Sequence, residues 1–449
     1  MIRKILSMLM HSLPLITHCS LLIAFSLFLL LSCQSLTFAS LDSDWGGHIK
    51  VKGSTSWIDK ESILKITGDS PYNDGYLEAR IKNILNLSED VYLESHYEAV
   101  ILGGDTKRKT NELVKIVGFP IDENLFFFNQ VNDDRRLFNL TKITNEENNY
   151  IAYQRLDRLC LTLKPKWGMI SIGRQALTWG NGLLFNPMDL FNPFSPTDIE
   201  KDYKTGDDMV VAQWTIKPSG DIQLLYVPRR DLSAHDIQWD QSSLAGKWHF
   251  AVGKTELDIM GAKHYNDYIV GVGSTGYLMS AAWRMDGTWT FLREDFSGKK
   301  DKEGFFAFVV NLDYSWAWFN KNFYGFIEYY HNGLGESEYI NAITNNYLTE
   351  RLLRGEIFTL GRNYLSCIVQ IELHPLFNFY LTTINNIFDP SGIIVPRAIW
   401  GMTQNIQVTM GANLSWGRKN TEYGGINIPF TDFYLKSPDS AFVWMTWFY

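Results

Sequence analysis

The chain of 449 residues is 45% hydrophobic and only 20% charged, with 41 Lys and Arg against 49 Asp and Glu and a formal net charge of −8. This balance excludes a protein built from long apolar helices and argues against nucleic acid as a partner, since that partner requires a basic surface. It leaves one tension, because 15 Trp, 22 Tyr and 28 Phe are many for a chain with so few long apolar runs, and a transmembrane β-barrel resolves it. Outward apolar residues alternate with inward polar ones, hydropathy averages out, and aromatic girdles mark both membrane interfaces.

Residues 1–39 differ from the rest. Arg3 and Lys4 are followed by an apolar run from Leu21 to Leu31, interrupted only by a small serine, and then by Thr37-Phe38-Ala39, a small-x-small cleavage pattern. This reads as a signal peptide, with residues 40–449 as one barrel domain. A membrane anchor would need about 18 to 20 apolar residues, and lipoprotein processing at Leu30-Leu31-Ser32-Cys33 is a weaker match. Removing Arg3 and Lys4 takes the formal charge from −8 to −10.

From about residue 45 the chain falls into stretches of roughly ten residues with strict alternation, the length a tilted strand needs to cross a bilayer. A first strand is expected over 45–57. Leu77, Ala79, Ile81 and Leu85 then oppose Glu78, Arg80, Lys82 and Asn86, and Val91, Leu93, Tyr97 and Ala99 oppose Tyr92, Glu94, His96 and Glu98. A loop over 104–148 follows, carrying Asp122, Glu123, Asp133, Asp134 and the apolar Leu125 to Phe128. It is too long for a simple turn, and two readings stand: inward folding to narrow a channel, or a solvated external loop. The next strands bring Arg158 and Lys164 to inward positions. Cys160 and Cys367, the two cysteines outside the leader, read as ordinary strand residues, because two cysteines make neither a disulfide framework nor a metal cage.

The segment Gly173-Arg174-Gln175-Ala176-Leu177-Thr178-Trp179-Gly180-Asn181-Gly182, with Asn186-Pro187-Met188-Asp189 and Asn192-Pro193-Phe194-Ser195-Pro196 behind it, resembles the strand-end and loop pattern of a porin-like family of outer-membrane proteins of largely unassigned function. The resemblance continues through Tyr203 to Asp208 and more loosely over the mature chain, and it implies a barrel without naming a cargo. Arg174 breaks the alternation of its strand, so a bulge or twist is expected to aim it into the lumen; the prolines and glycines are expected to fix a stiff loop, with Trp179, Asn186, Asp189 and Asn192 as its motif residues. Either a pore-lining or a loop-anchoring role suits Arg174 and Asp189; the alternative is plain loop chemistry.

Gly271-Val272-Gly273-Ser274-Thr275-Gly276 matches a dinucleotide fingerprint, but that pattern has meaning only between a strand and a helix. Here residues 277–294 read as two short strands and 265–275 as a glycine-rich loop, so no cofactor is expected. Further on, Phe306 to Trp316 and Leu365 to His374 alternate cleanly. Ile406, Val408, Met410, Ala412, Leu414 and Trp416 oppose Asn405 to Ser415, and Ala441, Val443, Met445, Trp447 and Tyr449 share the last face. The terminal aromatic resembles the signal by which the barrel-insertion machinery recognises its substrates, although Trp444 stands where that signal often carries Gly.

Short connections near 86–90, 165–168, 217–220, 251–254, 285–287, 319–321, 374–375 and 401–403 alternate with longer ones. The longest of these, 104–148, 180–207, 333–354 and 417–439, are expected outside the cell. The count gives eighteen antiparallel strands, with sixteen still compatible, and an aqueous interior. The polar faces gather Glu78, Arg80, Lys82, Glu94, His96, Glu98, Arg158, Lys164 and Arg174 as candidate pore-lining residues, with no catalytic residue and no metal ligand set assigned. A charged lumen of this kind orients dipolar solutes and excludes apolar ones.

The leading functional reading is therefore a porin-like channel for passive diffusion of small polar solutes, in contact with outer-membrane lipid and compatible with a homo-trimer. The alternatives are an outer-membrane hydrolase using His96, His264 or His331 beside Ser or Asp, and a polymer exporter or receptor barrel. No plug precedes the first strand, which speaks against an energy-coupled transporter.

Overall fold

The computed structural model describes residues 42–117, 131–196, 203–295, 297–428 and 431–449, so the leader and residues 122–128 of the second loop lie outside the described residues. Eighteen long strands form one antiparallel ring: β1 Asp42–Trp57, β2 Tyr72–Ser88, β3 Val91–Gly104, β4 Tyr150–Leu163, β5 Gly168–Gln175, β6 Asp207–Ile216, β7 Gly220–Val227, β8 Ser243–Val252, β9 Thr255–His264, β10 Asp267–Leu278, β11 Ala281–Phe291, β12 Gly304–Trp318, β13 Lys321–Asn332, β14 Asn363–His374, β15 Phe377–Asn386, β16 Ser391–Gly401, β17 Ile406–Trp416 and β18 Asp439–Phe448. Each pairs with its chain neighbour, and β1 also pairs with β18, from His48↔Phe448 to Trp57↔Asp439. The ring thus has no free edge, which is what a sheet in hydrocarbon requires.

Period-two patterning fixes which face goes where. On β10, Tyr268, Val270 and Val272 are 46%, 49% and 58% exposed, while Ile269 between the first two is 6% exposed. Similar outward rows run through Phe306, Val310 and Leu312 on β12 and Val443, Met445 and Trp447 on β18. An apolar surface on this scale is stable only against lipid. Among the described residues, no helix is long and apolar enough to cross a membrane, so the strands do the crossing.

The eighteen-strand expectation holds, but its boundaries shift in one place. The segment 265–275, expected as a loop, is mostly β10, and the chain turns at Tyr265-Asn266. The connection expected at 285–287 lies within β11, and the real turn is at Met279-Ser280, with Met279 97% exposed. Glycines hid the alternation. Gly271 and Gly273 face inward, where a Cβ on Gly271 would stand 2.9 Å from Met260 Cε, and one on Gly273 2.6 Å from Asp286 Oδ1 and 2.8 Å from Asn181 Nδ2. The nucleotide-like motif is thus a strand whose missing side chains leave room for a loop inside the barrel. Residues 393–400, expected as a strand, lie in β16, and Cys160 and Cys367 lie in strands as unpaired thiols.

The second loop adds to the wall in its described parts. Helix α1 Asp105–Val117 packs Leu113 against Ile58, Leu64 and Tyr72 of the first loop and its flanks. Residues Thr141–Glu146 then pair with β4 over Ile151–Arg155, above the point where the short strand β5 ends. At the C-terminus, Tyr449 exchanges backbone hydrogen bonds with Gly47, at 3.1 and 3.2 Å, and its hydroxyl donates to the Arg80 carbonyl at 2.9 Å. Trp444, at the position where glycine was expected, faces inward and stacks on Phe442 with ring centroids 5.2 Å apart.

Candidate functional site

Between β5 and β6, the described residues 176–196 and 203–206 run into the barrel. Trp179, Met188 and Phe191 are each at most 2% exposed and pack on inward residues of β6 to β10, among them Met209, Leu225 and Met260. Phe185 stacks on Tyr330 of β13, centroids 4.4 Å apart and planes 3° from parallel, and lies 5.6 Å from Tyr364 of β14. A loop that leaves β5 and reaches β13 and β14 must cross the interior. The described parts of the segment 180–207, expected outside, therefore form an internal loop, while the inward folding weighed for 104–148 turns on residues 118–130, which lie outside the described residues.

Two wall carboxylates hold the loop through its backbone. Asp286 on β11 accepts hydrogen bonds from the amide of Asn181 at 2.5 Å, the amide of Gly182 at 3.2 Å and Asn181 Nδ2 at 2.8 Å. Glu328 on β13 accepts from the amides of Leu183, Leu184 and Phe185 at 2.8, 3.1 and 2.8 Å, and from Asn311 Nδ2 at 3.1 Å. Successive amides converging on one carboxylate form an anion-binding nest, here closed by the protein itself. Gly180 makes the turn possible, with φ of 86°, a region other residues avoid.

The motif residues fasten the loop further: the Trp179 side chain to the wall strand β7, and those of Asn186, Asp189 and Asn192 to other residues of the loop. Trp179 Nε1 donates to Gln223 Oε1 at 2.7 Å, and Asn186 Nδ2 donates to the Trp179 carbonyl at 2.9 Å. Asp189 pairs with Lys204 at 2.5 Å, both 4% exposed, while Asn192 Nδ2 reaches the Thr205 carbonyl at 3.5 Å. Burial pushes the Asp189 carboxyl up to about 6, against the opposing pull of Lys204.

The seventh loop, residues 333–362, closes over the same half of the barrel with two short helices, α2 Tyr339–Thr344 and α3 Asn346–Leu353. Asn345 caps α3 by accepting from the Leu348 amide at 3.2 Å. Leu334, Tyr347, Leu348 and Ile357 pack on Phe305 and Ala307, which are inward residues of β12. Arg351 pairs with Asp267, and Glu356 lies 3.3 Å from His264. The loop expected outside over 333–354 is thus docked onto the inner wall.

His264, one of the histidines weighed for hydrolysis, stands between Ser243 and Glu356, with Ser243 Oγ 2.9 Å from its Nδ1. This resembles a nucleophile, base and acid in line. Yet Ser243 is 0% exposed, and Arg229 Nη1 donates to its hydroxyl at 2.6 Å, so the oxygen is occupied and unreachable. His331 points away from the lumen and lies 2.8 Å from Asn363 Oδ1. His96 lies beside Glu94 and Arg80. Among the described residues, no group of three or more His, Cys, Asp or Glu is placed to hold a metal ion.

On the opposite side, β1 to β4 present a charged network that unites most of the expected pore-lining residues. Arg80 pairs with Glu98, with Asp157 at 3.2 Å and with Glu78 at 3.5 Å. Glu78 also meets His48 at 3.1 Å, Glu94 meets His96 at 3.1 Å, and Arg158 meets Asp157 at 2.7 Å. Lys82 hydrogen-bonds the hydroxyl of Tyr203, at the end of the internal loop. Sequence reasoning missed His48, Arg155, Asp157 and Tyr203. Asp157 escaped because it lies in a bulge, where His96↔Arg158 is followed by Tyr97↔Leu156, so strict alternation misassigns it.

Two expected residues fall elsewhere. Lys164 is exposed just past the end of β4, its amide bonded to the Asp90 carbonyl and its ammonium 4.7 Å from the Tyr92 ring. Arg174 is 2% exposed and shares the outward parity of Ile172 and, across the pairing with Asp208, of Val210. Its guanidinium is spent on Asp208 at 2.9 Å, Asp133 at 3.1 Å and the Phe138 carbonyl at 2.7 Å. Gly173 has a φ of 128°, but the pairings on both sides of it run without a register shift, so the expected bulge into the lumen is absent and the side chain stays on the outer face. Residues of the second loop cover the side chain, so Arg174 clamps that loop to the wall.

With the half formed by β6 to β12 filled, the remaining interior lies along β13 to β18 and β1 to β4. There the inward side chains Gln370, Tyr380, Arg397, Gln407, Lys52 and Lys82 are only half-buried, as expected for groups facing water inside a closed ring.

No family model matches the chain, and no curated protein matches it in sequence. Solved structures do. OccAB1 of Acinetobacter baumannii superposes with a TM-score of 0.52 at 9% identity, covering 91% of this chain and 96% of that one. OccK8 (OprE) of Pseudomonas aeruginosa gives 0.49 at 7% identity over 92% and 99% of the two chains. OpdK, an outer membrane protein of the same organism, gives 0.46 at 6% over 90% and 99%. At 9% identity the likeness to OccAB1 is one of fold alone, that of a closed antiparallel β-barrel.

Proposed function

We propose that the protein is a channel in the outer membrane of a Gram-negative bacterium, through which small polar solutes diffuse passively along a charged lumen. The observation that carries this reading is the half-buried inward row on β14 to β17 and β1 to β2, beside an internal loop packed on β6 to β10, β13 and β14. A ring of eighteen strands is wide enough to hold water, and the apolar exterior suits lipid. Pore-lining roles go to Glu78, Arg80, Glu94, His96, Glu98 and Arg158, whose paired charges would set a transverse field, and to Lys82, held against Tyr203. Trp179, Asn186, Asp189 and Asn192 shape the constricting loop.

Among the described residues, the Ser243-His264-Glu356 alignment is sealed and supports no chemical step. The reading is indifferent to whether the barrel stands alone or as a homo-trimer. Single-channel recording in planar bilayers tests it: stable open steps are expected, whereas a silent barrel that hydrolyses lipid would overturn it.

A further inference from the structure

Tyr203 occupies an unusual position. Its ring lies parallel to that of His48, centroids 5.8 Å apart and planes within 13°. The Arg80 guanidinium carbon is 4.5 Å and Lys82 Nζ 3.9 Å from the ring centroid, and Lys82 also hydrogen-bonds the phenol oxygen. The position is held from behind. Arg158 grips the Lys204 carbonyl, Lys204 itself is paired with Asp189, and the Gly206 amide donates to Asp157 at 3.2 Å.

The two cations differ in their other partners. Arg80 has Glu98, Asp157 and Glu78 around it. Lys82 has, among the described residues, no carboxylate within 4.0 Å in any ion pair, and the groups placed against it are the ring and hydroxyl of Tyr203. Around it the three cations Arg80, Arg155 and Arg158 face the four carboxylates Glu78, Glu94, Glu98 and Asp157, so Lys82 is the fourth cation of the network and the one held against a ring. A ring over an ammonium keeps its charge but withholds it from small anions, since the ring's own attraction for the cation replaces solvent or counterion.

We propose that Tyr203 is a selectivity determinant that masks Lys82 from the lumen, so that the channel discriminates against small anions less by the charge it carries than by the ring that covers it. This rests on the channel reading. It makes Lys82 the latent anion site of the lumen, and the end of the internal loop the element that hides it.

The test is the zero-current potential of the full barrel across a KCl gradient. Tyr203→Leu keeps bulk but removes hydroxyl and π face, and Tyr203→Ala removes the cover. Both should raise the chloride-over-potassium permeability ratio, by about twofold or more for a newly exposed ammonium a few ångströms from the ion path in screened water. Lys82→Gln in the Tyr203→Ala background should bring the ratio back to the wild-type value. An unchanged ratio in both Tyr203 variants, with conductance intact, overturns the proposal. So does a shift that persists in the double variant, because that would report widening and not unmasking. Absence of conductance in the wild-type protein would instead strike the channel reading itself.

Discussion

At the residue scale, the internal loop depends on single acceptors. Glu328 takes three consecutive backbone amides and Asn311 Nδ2, and each hydrogen bond to a charged group contributes about 1.5 to 3 kcal/mol. Glu328→Ala should therefore release residues 183–185 while leaving the ring intact. The expected outcome is protease cleavage at the loop in a barrel that still runs folded, together with flickering of the open current; a loop that stays resistant would show that apolar packing alone holds it. Little of this was legible in the sequence. Glu328 and Asp286 are single acidic residues on inward faces, alike in pattern to Glu78 or Glu98, and nothing local says that their partners are amides 143 and 105 positions away. Arg174 shows the converse. Its break in alternation was visible, but its destination depended on a second-loop segment whose packing no spacing encodes.

At the element scale, the strands were readable and the loops were not. Alternation is a property of each strand, so β12, β14, β17 and β18 emerged where expected; glycine-rich β10 was lost, because Gly271 and Gly273 have no side chains to alternate, and its neighbour β11 was cut at 285–287 as a consequence. Where a loop goes depends on what the opposite wall offers, and sequence does not display that directly. The Trp179 to Asp189 motif did signal stiffness, and its stiffness has a pH dependence. The Asp189 carboxyl is raised from its ordinary 3.8 to about 6 by burial, so the folded loop holds this proton more tightly than an unfolded one. Its contribution is then fully present below about pH 4 and is lost as pH rises through about 6. Hydrogen exchange of residues 177–192, corrected for intrinsic rates, should show stronger protection at pH 5 than at pH 7.5. Asp189→Asn should flatten the difference; a pH dependence that survives this substitution would place its origin in another group.

At the scale of the whole molecule, one closed ring faces two solvents, and adjacent residues on one strand should feel them differently. On β14, Val369 shares the outward face with Leu365 and Leu373, which are 37% and 43% exposed, whereas Gln370 is half-buried on the inward face. Both lie near mid-strand, where lipid is thickest. An arginine at Val369 must enter hydrocarbon or distort the bilayer, at a cost of about 2 to 4 kcal/mol. An arginine at Gln370 enters the water-facing side, among side chains already polar, and surface-like substitutions of that kind change stability by about 0.5 kcal/mol. Equilibrium refolding into lipid vesicles under denaturant should therefore separate Val369→Arg from Gln370→Arg by at least about 1.5 kcal/mol, the gap between those two ranges. Equal costs at the two positions would mean that the inner face is as dry as the outer one. The lumen would then be a packed core, and the case for solute passage would fail with it.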